Sequence, residues 1–85
     1  MMTDIDEFIS GVILPPAFHA VLRRTLTKIE VAGSADGCSI AQARAEGMVE
    51  ALELLKALEP AHIEALYLLI DQIATWRLLE LKADQ

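Results

Sequence analysis

Residues 61–82 read AHIEALYLLIDQIATWRLLELK, and the reading of this stretch decides the fold. At about 100° per residue of helix, Ile63, Leu66, Tyr67, Ile70, Ile73, Ala74, Leu78 and Leu81 fall on one broad stripe. Leu68, Leu69, Trp76 and Leu79 form a second apolar patch nearly opposite the first. Glu64, Asp71, Thr75 and Lys82 leave only a narrow polar edge, with Gln72 and Glu80 standing apart. A helix that is apolar almost all round is either central or covered on two sides. In a chain of 85 residues the second cover is expected from another subunit. The stretch therefore predicts the last and longest helix of a small all-α bundle, and its association surface.

The length suits one domain and not two. A hydrophobic content of 54% excludes a disordered tail. It is also high for a chain of 9.3 kDa, because domains of this size bury only about 60% of their unfolded surface. The apolar surplus predicts association, with itself or with an obligate partner, and a homodimer is the simplest form; the competing reading is a packed monomer whose alanines inflate the percentage. The net charge of −6 argues against general binding to nucleic acid or anionic membrane. The longest unbroken apolar run of the final helix, 65–70, is far short of the roughly 20 residues of a spanning helix. The acidic start, MMTDIDEFIS, lacks the basic region of a signal peptide. A single cysteine, Cys38, suggests no oxidising compartment. A cytoplasmic location is expected.

Earlier in the chain, Thr3 can cap a short helix whose apolar side is Ile5, Phe8, Ile9 and Val12. Gly11 and Pro15-Pro16 close it, and Leu14, standing before proline, should be extended. Residues 1–15 thus form an arm or lid that touches the body through Phe8 and Ile13. A second helix is predicted at about 16–32, with Pro16 as its first residue. Phe18, Val21, Leu22, Thr25, Leu26, Ile29 and Ala32 form its inner face; His19, Arg23, Arg24, Thr27, Lys28 and Glu30 form its outer face. Gly33 is expected to end it and 33–37, GSADG, to be a loop.

Ser39 with Gln42 reads as a capping box opening a helix at about 40–58. Its predicted buried stripe is Ile40, Ala43, Gly47, Met48, Ala51, Leu54, Leu55 and Leu58, with Ala43, Gly47 and Ala51 as a close-packing seam. Glu46, Glu50 and Glu53 make an acidic ridge on the outer face. Glu59-Pro60 then turns the chain into the final helix. So short a connection predicts an antiparallel hairpin; one long helix kinked at Pro60 is the alternative. Neither long helix keeps a strict seven-residue repeat, which disfavours a long coiled coil.

Residues with chemical potential are few. His19, His62 and Cys38 do not stand at metal-binding spacings. Cys38 is placed just before a helix N-terminus, a setting that can activate a thiol, but Asp36 opposes it and no histidine is near in sequence. The glycines of GSADGCS precede a helix, yet the lysine and spacing of a phosphate-binding loop are missing. Arg23, Arg24 and Lys28 gather on one helix, without the short turn that leads into a recognition helix. Arg44 and Arg77 fall inside apolar stripes and must be paired or reach an edge. An Arg44–Asp71 pair across the hairpin is predicted, and for Arg77 an acid of a neighbouring subunit or of a binding partner, with structural pairing preferred to a functional contact for both.

No motif identifies a family; the size and the acidic, leucine-rich helical character are those of small accessory proteins of bacteria and phages. The expected function is a non-catalytic protein-interaction module: an adaptor, inhibitor or regulator. No cofactor and no metal are expected. The predicted interface is Leu68, Leu69, Trp76, Arg77 and Leu79, with Trp76 as anchor and Tyr67 assigned mainly to the core. Further partner contacts are assigned to Arg23, Arg24 and Lys28 and to Glu46, Glu50 and Glu53. The alternative is a DNA-associated regulator that uses Arg23, Arg24 and Lys28.

Overall fold

Three helices make up the computed structural model, which describes Leu14 and residues 16–83. They are α1 (Pro16–Glu30), α2 (Ala35–Leu54) and α3 (Pro60–Ala83). Each packs on the other two. Cys38, early in α2, meets Ala74, late in α3, so these two helices form the antiparallel hairpin expected from Glu59-Pro60. Ala32, just beyond α1, is bonded to Arg77, which places the end of α1 beside the last third of α3. The arrangement is an all-α bundle.

Pro16 opens α1 and Pro60 opens α3, where a missing N–H is harmless. The amides of His62 and Ile63 turn back to the Glu59 carbonyl at 2.9 and 3.1 Å. The middle helix departs from expectation at both ends. Ser34, in an extended conformation, is its N-cap, and its hydroxyl accepts the Gly37 amide at 3.0 Å. Ser39 and Gln42 lie inside the helix, so no capping box forms there. Gln42 instead donates to Glu46 at 3.3 Å. Of GSADG, only Gly33 and Ser34 lie outside the helices. The reason is local: a serine followed by Ala-Asp-Gly offers a cap and an acid in the first turn, five residues before Ser39.

At its other end α2 stops at Leu54, short of Leu58. Lys56 has φ 55°, the left-handed position after a helix. The Ala57 amide reaches the Leu52 carbonyl at 2.9 Å and the Lys56 amide reaches Glu53 at 3.0 Å. This double bond pattern is the Schellman ending, with lysine where glycine is more usual. It turns the chain through 55–59 and excludes a single helix kinked at Pro60. By contrast, α1 ends without Gly33: Ala32 donates to Ile29 at 3.3 Å in a tightened last turn.

The core joins Leu22, Leu26 and Ile29 to Cys38, Ala41, Ala45, Val49 and Leu52, and to Ile63, Leu66, Ile70 and Ala74. Leu14 and Ala32 complete it. Leu14 is non-helical, as a residue before proline should be. The remaining expectations for 1–15, including Thr3, Phe8 and Ile13, concern positions outside the described residues. His19 had been assigned to the outer face of α1 and is buried instead, while Val21 stands at the margin, 39% exposed. The larger correction concerns α2. Its expected stripe faces out: Ile40, Leu54 and Leu55 are exposed, as are Ala43 and Gly47, with Met48, Ala51 and Leu58 half-buried. The small residues that α2 turns into the core are instead Cys38, Ala41 and Ala45, with Cys38 against Ala74 of α3. Two apolar stripes share this helix, and periodicity alone does not rank them.

A Cβ built on Gly47 meets nothing within 4 Å. Gly47→Ala should therefore stabilise the fold by about 0.5–1 kcal/mol, through helix propensity and a less flexible unfolded chain. Thermal unfolding followed by circular dichroism checks this; a lower melting temperature would put Gly47 back in a packed seam.

Candidate functional site

The outward side of α3 is the most conspicuous surface. The inward stripe Ile63, Leu66, Ile70 and Ala74 is buried by α1 and α2. About half a helical turn away, Leu68 is 64% exposed, and Trp76 and Leu79 are each 59% exposed. Leu69, expected with them, is half-buried and packs on the core, because it lies towards the flank of the helix. Leu68, Asp71, Gln72, Thr75 and Trp76 line a shallow groove along this face. The other edge of the indole borders a second hollow with Glu30, Ile73, Arg77 and Glu80. Tyr67 is half-buried against the core, in keeping with its assignment.

Arg77 serves the chain's own structure. Its Nε donates to the Ala32 carbonyl at 2.7 Å, and its Nη1 donates to Glu80 Oε1 at 3.1 Å. The first bond satisfies a backbone carbonyl in the connection between α1 and α2. The second is an ion pair with an exposed carboxylate and contributes little. The pairing assigned to Arg77 is thus made inside the chain, with an acid one turn along its own helix. Arg44 and Asp71 are both exposed, and among the described residues no ion pair joins them. With α2 turned so that Cys38, Ala41 and Ala45 face inward, Arg44 lies on a solvated flank and needs no partner.

The acidic ridge is real and borders the hairpin. Glu50 and Glu53 are exposed and Glu46 is half-buried. Burial, and then the charges of Glu53, Glu50 and Glu46, raise the Tyr67 phenol above its ordinary 10.0, with a hydrogen-bonding contribution from Glu53. Each cause disfavours the phenolate. On α1, Arg24 and Lys28 are exposed and Arg23 is half-buried. Α1 does not follow another described helix through a short turn, so the helix-turn-helix geometry is not met among the described residues.

Cys38 is a core residue of α2, fully buried, with its thiol pointing to the Ala74 carbonyl at 3.7 Å. The placement before a helix N-terminus is therefore overturned, and with it the chemistry of an accessible thiol. His62 is half-buried at the start of α3. Among the described residues, no three His, Cys, Asp or Glu side chains converge as a metal site would need. Gly33, Ser34, Arg77 and Lys82 border a cleft where the α1–α2 connection meets the end of α3. Arg77 is committed to Ala32 and Glu80 there, and Asp36 stands in the first turn of α2. Among the described residues, no helix is long and apolar enough to cross a membrane.

Sequence reasoning missed the exposure of Ile40 and Leu54, near opposite ends of α2, and of Leu55 just beyond it. The signal was present, since α2 shows two stripes, but the seam of small residues pointed to the wrong one. It also missed Arg77 as the partner of the Ala32 carbonyl, for which no local pattern exists.

Two outcomes follow from these contacts. Arg77→Met keeps the aliphatic stem and removes the donor, and should cost about 1.5–3 kcal/mol, the range for a charged hydrogen bond; denaturant titration measures it. Tyr67 is the single tyrosine, so its ionisation can be followed at 295 nm. The folded state holds this proton more tightly than the unfolded chain, so the resulting stability is present below pH 10 and is lost as pH climbs through the raised value. Glu53→Gln should move the midpoint down towards 10; an unchanged midpoint would remove Glu53 from the account. Compared with family models, with curated proteins and with solved structures, the chain matches none.

Proposed function

We propose that this protein is a non-catalytic interaction module of the cytoplasm, working as an adaptor, inhibitor or regulator through the outer face of α3. The observation that carries the reading is Trp76. A large aromatic side chain, 59% exposed, stands on the outside of a helix whose inner stripe already serves the core. Leu68 and Leu79 flank it at 64% and 59% exposure. Covering such side chains is worth roughly 1.5–3 kcal/mol each, and tryptophan is among the residues that dominate interface energies. Exposed apolar groups gathered on one face mark interaction surfaces more often than catalytic ones.

The charge pattern supports a protein partner over nucleic acid. The chain carries −6 overall, and Arg24 and Lys28 are the exposed basic groups of α1. Phosphate binding relies on several cations reaching one backbone.

The test is a comparison of wild type with Trp76→Glu/Leu79→Glu. Both residues are exposed, so the variant should keep its helicity and its melting temperature within a few degrees. Its associations should fail: proteins retained from native cytoplasm by the immobilised wild type, read by mass spectrometry, should be absent with the variant. The same proteins recovered with both would dismiss the outer face of α3 as the working surface.

A further inference from the structure

We propose that a second copy of this chain occupies the outer face of α3, with the two α3 helices antiparallel and a twofold axis at Gln72. This rests on the interaction-module reading above and names the partner. The outward strip of α3 is Ala61, Ala65, Leu68, Gln72, Trp76, Leu79 and Ala83. At about 100° per residue these fall within an arc of about 80°, opposite the buried stripe. All are exposed except Ala65, which is half-buried.

Their spacing is the same read in either direction: four, three and four residues on each side of Gln72. An antiparallel copy centred there therefore brings strip against strip along the whole helix. Leu68 meets Trp76 of the other copy, Ala65 meets its Leu79, and Ala61 meets its Ala83. Trp76 and Leu79, the largest side chains of one half, thus face the smaller ones of the other. Such interdigitation of large and small is what close packing asks for. The groove lined by Leu68, Asp71, Gln72, Thr75 and Trp76 is centred on the axis, so each indole enters the other copy's groove. Gln72, a polar residue in the middle of an apolar strip, meets its own counterpart, and two amides can each donate to and accept from the other. Steps of four and three follow from the helical period, so the spacing sets the register of an antiparallel pair, and the choice of a second copy rests on the side chains that this register brings together, above all the flanking charges.

The flanking charges agree at the ends and oppose at the centre. On the side of α3 towards α2, Glu64 stands eight residues before the axis and Lys82 ten after it. Across the pair they differ by about 3 Å in height, within reach of an ion pair. On the other side, His62 and Glu80 are related in the same way. Near the axis the two Asp71 carboxylates fall on the same side, each close to Thr75 of the other copy, whose hydroxyl can donate to it. These carboxylates repel each other, weakly because both are exposed.

The register makes the test specific. Sedimentation equilibrium of the wild type should give twice the mass of the chain at micromolar concentration. Gln72→Cys should cross-link to itself under mild oxidation, and a mixture of Leu68→Cys with Trp76→Cys should cross-link as a heterodimer. Leu54→Cys, equally exposed but on α2, should not cross-link. Cys38 is fully buried and does not interfere while the chain is folded. Asp71→Asn should tighten the dimer about two- to fivefold, the size of an exposed charge interaction. A dimer that links through Leu54→Cys and not through Gln72→Cys would overturn the proposal. So would a wild type that sediments as a monomer at about 100 μM; retention of another protein in that case would leave the interaction-module reading standing on its own.

Discussion

The packing of α2 against α3 is the contact on which the rest of the structure depends. Cys38, Ala41 and Ala45 are small, and Ala74 stands opposite Cys38. Small side chains on facing stripes let two helix backbones come near without strain, and the larger Val49, Leu52, Leu66 and Ile70 then fill the wider remainder of the core. Once this contact is set, the rotation of α2 about its axis is fixed. Ile40, Leu54 and Leu55 must then face out, Arg44 must lie on a flank, and the acidic ridge must border the hairpin beside Tyr67.

Both ends of α2 reinforce that rotation. Ser34 fixes where the helix begins and the left-handed Lys56 fixes where it ends. Arg77 ties the third helix to the end of the first through the Ala32 carbonyl. These polar contacts each satisfy a backbone group that would otherwise be open at a helix terminus or in a connection. The bundle is thus held by an apolar interior and by polar stitching at its turns, and exposed ion pairs contribute little to it.

With the interior complete, the remaining large apolar side chains have no role in the fold of the described residues. Α3 supplies one stripe to the core and another to the outside, and the outer one is symmetric about Gln72. Interaction is the economical reading of such a surface: side chains whose burial is favourable stand in water while the core beneath them is already closed. The symmetry of their spacing adds a direction and a register to that reading.

What the sequence by itself determined was the helical class, the starts of the first and last described helices and the outward character of Leu68, Trp76 and Leu79. These depend on local chemistry: proline at Pro16 and Pro60, and apolar residues on both sides of one helix. Where the polar and apolar sides of a helix differ, as in α1, the sequence also placed Leu22, Leu26 and Ile29 correctly in the core; His19 and Val21 were the exceptions. In α2 the two sides hardly differ, so the choice between Ala43–Gly47 and Ala41–Ala45 belonged to the tertiary structure. It depends on which small residues a distant helix can approach, and Ala74 lies 36 residues from Cys38. The same distance hid the role of Arg77, whose acceptor on Ala32 is 45 residues away. Local pattern carries turns and amphipathic faces; contacts between residues far apart in sequence exist only once the chain has folded.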